Sequence, residues 1–166
     1  GTHNEPNALA TLAACVLPHF FPSLISVEEG SHIVTHIDKP MVIVSPDGGL
    51  YKREDADTLR DTFVSETGHE PLPSPVIAIE LKCPMPNSCR TPVQYTLPQY
   101  YVPQVLAEMA AMKVDKCIFG SWRTESMAIH IVHFDQQLWT DIMTEAGIIY
   151  ASHSPPLPTR LTSESK

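Results

Sequence analysis

Two short stretches hold residue types that gain a purpose when read together. Ser45-Pro46-Asp47-Gly48 puts a carboxylate in a turn signal. Thirty-three positions later, Ile79-Glu80-Leu81-Lys82-Cys83-Pro84 puts a Glu and a Lys two residues apart in an apolar run. Side chains alternate across a strand, so Glu80 and Lys82 share one face and Leu81 takes the other. Hard cations such as Mg²⁺ take oxygen ligands, usually one or two carboxylates with waters and substrate phosphate. Asp47 and Glu80 are the candidate carboxylates, and the Leu81 backbone carbonyl is a third oxygen. A lysine two residues beyond Glu80 can activate an attacking water or neutralise a scissile phosphate. Two ions held there would stabilise the attacking and leaving oxygens of an in-line displacement. The plainer alternative is an internal Glu80–Lys82 ion pair on a strand facing a helix, which is costly to bury without further hydrogen bonds.

These residues need elements to position them. Leu9, Leu12, Ala13, Val16 and Leu17 follow helical spacing and predict a helix over about 4–17, with Asn4 as N-cap and Pro18 and Pro22 as stops. Glu5 lies four and seven positions before Leu9 and Leu12, so it projects towards the apolar side. It could reach a second metal position; the alternative is that it favours the positive helix N-terminus. Strand-like runs follow at 24–28 and 32–37, then Met41-Val42-Ile43-Val44 ends in the turn signal Pro46-Asp47-Gly48-Gly49. Residues 52–75 read as a polar, irregular, exposed excursion. Val76 to Lys82 reads as a strand buried on both faces, followed by a Pro-rich loop over 84–98. A helix over about 100–113 presents Val102, Val105, Leu106, Met109 and Met112 on one side, with Gln104 near its start. Strands over 115–122 and 126–134 come next. Asp135 then caps a helix with Leu138, Trp139, Ile142, Met143 and Ala146 facing in, ended by Gly147. The order predicts an α/β fold with a mixed central sheet flanked by helices.

The 166 residues fit one domain, assigned to 1–151, with a Ser/Pro/Thr-rich disordered tail over 152–166. The chain opens on Gly1-Thr2-His3-Asn4 without an initiating Met, the mark of a fragment or a processed chain. No run approaches a membrane span and no signal-peptide pattern opens the chain, which predicts an intracellular, non-secreted protein. Cys15, Cys83, Cys89 and Cys117 lack metal-site or iron–sulfur spacing and read as reduced thiols. His130 and His133 fall on opposite faces of a strand, a poor metal pair. The net charge of −8 opposes phosphate binding in bulk, although cations bound at acidic residues offset them. Lys113, Lys116 and Arg123, close in sequence, are candidates for a local cationic lip on nucleic acid, as are Lys52 and Arg53, with Ser45 as a phosphate contact; the alternative is scattered solvated charge. Tyr95, Tyr100, Tyr101, Trp122 and Trp139 could stack bases, although core packing is the commoner use of such residues.

The ordered set of motifs resembles the YqaJ-like viral recombinase and phage lambda exonuclease branch of the PD-(D/E)XK nucleases. The matching stretches are Asn4-Glu5-Pro6-Asn7-Ala8, Ser45-Pro46-Asp47-Gly48-Gly49, Ile79-Glu80-Leu81-Lys82-Cys83-Pro84 and Tyr100-Tyr101-Val102-Pro103-Gln104-Val105-Leu106-Ala107-Glu108-Met109. The similarity spans roughly residues 4–146. It implies a restriction-endonuclease-like fold and hydrolysis of DNA with Mg²⁺ or Mn²⁺, one or two ions per site. By the resemblance, Asp47 and Glu80 are the metal carboxylates, Lys82 the catalytic lysine, Glu5 the helix glutamate completing the metal site, and Gln104 a glutamine steadying it. It also implies resection from duplex ends in recombination, with a single-strand-annealing protein as partner. Two other readings stand beside it: a non-catalytic binding module on the same fold, favoured by the −8 charge, and an RNA endonuclease.

Overall fold

The computed structural model describes residues 4–34, 42–64, 73–84 and 93–152. The end of the strand expected over 32–37, the excursion over 65–72, the Pro-rich stretch with Cys89, and the tail from 153 lie outside the described residues.

The apolar periodicity at the start forms α1 (Glu5–Thr11), a π-helical turn (Leu12–Val16) and α2 (Leu17–Phe20). Asn4 occupies the N-cap position without a side-chain cap hydrogen bond. The expected stop at Pro18 does not occur. In the π turn the Leu17 N–H reaches the Leu12 carbonyl, five residues back, so Pro18 falls in the first turn of a new α-helix, where its missing N–H costs nothing. The same turn keeps Leu12 and Leu17 buried together and leaves Ala13, expected inward, exposed.

The described strands are β1 (Leu24–Val27), β2 (His32–Val34), β3 (Val42–Val44), β4 (Gly48–Lys52), β5 (Ile77–Lys82), β6 (Lys116–Arg123) and β7 (Ser126–His133). The main sheet runs β1-β4-β5-β6-β7, with β5 and β6 parallel and the other neighbours antiparallel. The β2–β3 ribbon forms a separate two-stranded sheet. Gly48 and Gly49, expected to close a turn, instead open β4. No described glycine has a positive φ, and what Gly48 provides is room: a Cβ there would lie 2.8 Å from the Val27 carbonyl oxygen. The excursion after β4 is not irregular at its start; it holds a 3₁₀ turn (Arg53–Asp55) and α3 (Ala56–Val64), whose Leu59 is buried.

The two faces of the sheet bury different helices. Ile77, Ile79, Leu81 and Ile118 meet Ala8, Leu12 and Leu17 on one face. Ala78, Cys117 and Phe119 meet α4 (Val102–Met112) and, through Trp139 and Met143, α5 (Gln136–Ser152) on the other. Trp122 Nε1 donates to Thr11 Oγ1 at 2.9 Å and pins α1 across β6. Asp135 caps α5 as expected, accepting from the Leu138 N–H at 2.9 Å. Gly147 does not end that helix, which continues to Ser152, and Leu138 is exposed rather than inward.

Candidate functional site

The site begins where the β4–β5 ladder stops. Gly48 pairs with Ile79, the last pair in the register, so Asp47 extends from the end of β4 opposite Glu80. Its Oδ2 accepts the Leu81 N–H at 2.6 Å. Along a strand, the N–H and C=O of one residue project to the same edge, so the Leu81 carbonyl faces the Asp47 side as well. Thus the turn signal positions Asp47 by preceding a strand of the main sheet; the strand before it, β3, lies in the ribbon.

Glu80 and Lys82 point to the α4 face, and Glu80 is 1% exposed. Glu80 Oε1 accepts from Lys82 Nζ and from Gln104 Nε2, the latter at 2.6 Å. The ion pair foreseen as the plainer alternative is therefore present, with the extra hydrogen bond that burial demands. The same Gln104 Nε2 donates to Glu108 Oε1 at 2.9 Å. Glu108 is also 1% exposed. Among the described residues, Glu80 Oε2 and Glu108 Oε2 have no hydrogen-bond partner.

These groups perturb one another. Burial, then the negative charge of Glu80, raises Asp47 to about 6. Burial, then Glu80, raises Glu108 to about 8. Glu80 and Glu108 face one another as like charges, which adds to burial in raising Glu108. Burial pulls Lys82 down, but its hydrogen bond to Glu80 and the charges of Glu80 and Asp47 outweigh that, and it is held above its ordinary value. Lys82 Nζ also stands 5.0 Å over the Tyr101 ring. In this metal-free arrangement the two carboxylates hold it as a cation.

Glu5 arrives from the other face of the sheet. It lines a cleft of about 590 Å³ with Leu9, Ser26, Ser45, Asp47 and Leu81, and a smaller one of about 230 Å³ with Lys82, Gln94 and Tyr101. It thus flanks the Asp47–Leu81 corner from the side opposite Gln104. Ser45 is exposed on the first cleft. Among the described residues, no three His, Cys, Asp or Glu side chains form a cluster that could hold a metal ion. The donor set at the corner is two carboxyls, one with an unpartnered buried oxygen, and a backbone carbonyl. All are hard oxygens, which fits Mg²⁺ or Mn²⁺ completed by water.

The expected cationic lip is not assembled. Lys113 and Lys116 stand at the C-terminal end of α4 and the start of β6, the pole of the sheet remote from Gln104 and Lys82. Arg123 ends β6, roughly 23 Å from Lys116 along the strand. Since Lys82 pairs with Ser121, Arg123 alone of the three lies at the site end. Lys113 instead terminates α4 in a left-handed conformation, φ 58°. Trp122 and Trp139 are core residues, Tyr101 packs on Phe119, and Tyr95 and Tyr100 are exposed. Cys83 and Cys117 are buried and Cys15 is exposed.

Glu108 is the site residue that motif reading passed over. Its signal was available: it falls among Val105, Leu106, Met109 and Met112 on an apolar helix side, four residues after Gln104.

The sequence matches no protein-family model and no curated protein. Among solved structures, the fold is similar to the crystal structure of LHK-Exo in complex with dAMP. That likeness has a TM-score of 0.57 at 20% identity, covering 92% of this chain and 65% of that one. This chain therefore spans about two thirds of the length of that structure, and its own mixed five-stranded sheet with flanking helices is a restriction-endonuclease-like α/β fold.

Proposed function

We propose that this chain is a divalent-cation-dependent deoxyribonuclease of the YqaJ-like, lambda-exonuclease-type branch, acting from duplex ends in recombination. The observation that carries this reading is the corner formed by Asp47, Glu80, Lys82 and Gln104 at the open end of the β4–β5 ladder. The likeness to LHK-Exo, a protein solved with a deoxynucleotide, supports DNA as the substrate class.

Mg²⁺ or Mn²⁺ would be held by Asp47, Glu80 and the Leu81 carbonyl, with Glu5 approaching from the flank. The ion supplies Lewis-acid polarisation of phosphate and water. Lys82, kept charged by Glu80, neutralises the phosphate at the reacting bond. Gln104 holds Glu80 in one rotamer, and Ser45 borders the cleft that the strand enters. A single-strand-annealing protein is the proposed partner that receives the product strand.

Linear duplex DNA incubated with Mg²⁺ or Mn²⁺ should release nucleotides, and Asp47→Ala and Lys82→Ala should each lose at least about 100-fold in rate. Equal release by wild type and both variants sinks the assignment. A second reading, a binding module with little catalysis, is favoured by the absence of a three-side-chain metal cluster among the described residues. It predicts DNA or protein binding that EDTA leaves unchanged.

A further inference from the structure

Resting on the metal-site reading above, we infer that Glu108 is a positioning residue for Glu80, acting through the side-chain amide of Gln104. Gln104 has two N–H hydrogens on one nitrogen. One points to Glu80 Oε1 at 2.6 Å and the other to Glu108 Oε1 at 2.9 Å. The amide of half-buried Gln104 is clamped between two carboxyls that are each 1% exposed.

The clamp settles a choice that Gln104 alone leaves open. An amide presents either its nitrogen or its oxygen, and an oxygen turned to Glu80 would repel it. Glu108, one helical turn along α4, offers an acceptor to the second hydrogen and so commits the amide to donating on both sides. Lys82 and Gln104 then both occupy Glu80 Oε1, which leaves the unpartnered Oε2 as the oxygen able to take a cation. A bulk-packing role would require only an apolar side chain at 108, like Val105, Leu106 and Met109 on the same helix. Burying a carboxyl costs free energy that an apolar residue avoids. The hydrogen bond to Gln104 gives that cost a purpose.

The acceptor, not the charge, is what the clamp needs. Glu108→Gln should keep it, and Glu108→Leu should lose it. Partners of metal ligands commonly change metal affinity or activity by 10–100-fold when removed. Mn²⁺ titrations followed by thermal melting and by calorimetry should show a Tm rise and binding in wild type. Glu108→Gln should bind within about threefold of wild type, and Glu108→Leu about 10-fold or more weaker. With duplex DNA, kcat should fall in Glu108→Leu while KM for DNA holds, because Glu108 touches no substrate. Gln104→Leu, which keeps Glu108 in place, should show the same loss. Adding Glu108→Leu to it should cost nothing further, since the two act as one unit.

Wild-type binding and cleavage together with unchanged Mn²⁺ affinity in Glu108→Leu, or with additive losses in the double variant, overturn the inference and leave the nuclease reading standing. Should Glu108→Leu fail to melt cooperatively, Gln104→Leu and Glu108→Gln decide the matter: full Mn²⁺ affinity in the first, or a 10-fold loss in the second, overturns it. A wild-type protein that neither binds Mn²⁺ nor cleaves DNA overturns both.

Discussion

Glu80, Glu108 and Asp47 crowd three carboxyls around one lysine, and without metal the crowding has a thermodynamic signature. Glu108 ionises near 4.5 when unperturbed and at about 8 in the fold. It therefore binds its proton more tightly folded than unfolded. The stabilisation this gives is complete below about 4.5 and is lost as pH rises through about 8. Asp47, raised to about 6, acts in the same direction over a lower window. In EDTA, urea midpoints should fall between pH 5 and pH 9, and Glu108→Gln should flatten the upper part of that fall. A midpoint that climbs over this range, or an identical fall in the variant, would contradict the coupling. At this scale the sequence was readable where chemistry and strand alternation coincided: Glu80 and Lys82 do share a face, and Asp47 does meet Glu80. Glu108 was not read because a helix motif judged by its apolar residues hides a polar one among them; only its i+4 relation to Gln104 gives it a partner.

Among the elements, β5 and β6 carry the site on one face and α1 on the other, so a change on the α1 side is felt across the strand. Gly120 shows how tight that coupling is. A Cβ at this position would lie 2.6 Å from Leu81 Cδ2 and 3.0 Å from Met127 Cε. Gly120→Ala should destabilise by about 1–3 kcal/mol, the usual range for overpacking. It should also lower any catalytic rate, because the residue it displaces donates the hydrogen bond to Asp47. Chemical denaturation and a rate assay on the same sample check the pair of effects; a stable variant with a normal rate would refute the coupling. Element existence was legible for β5, β6, β7, α4 and α5, where apolar periodicity is long. It was misread where local punctuation carried two meanings. Gly48-Gly49 reads as a turn, yet both glycines lie in β4, where a Cβ on Gly48 would press on the Val27 carbonyl oxygen and one on Gly49 on Glu29, Pro75 and Met112. Pro18 and Gly147 read as stops, yet a π turn admits the first and α5 runs through the second.

Across the whole molecule, charge is distributed so that bulk acidity does not decide what the site end can hold. Lys113 and Lys116 share one pole of the sheet and Arg123 lies at the other, because the eight residues of β6 carry it there. If DNA approaches the Asp47–Lys82 corner, Arg123→Ala should weaken binding several-fold and reduce the salt dependence by about one phosphate contact. Lys113→Ala and Lys116→Ala should leave both unchanged; the opposite ranking would move the DNA to the other pole. Among the described residues no helix is long and apolar enough to cross a membrane. The end of the β4–β5 ladder has one more consequence. Position 81 acts through its peptide group: the N–H orients Asp47 and the carbonyl faces the same edge, while the side chain only fills space under α1. The groups that act are therefore backbone atoms, which any apolar residue supplies so long as it fills the Leu81 volume without shifting the strand. Proline, apolar though it is, would erase the donor and with it the orientation of Asp47.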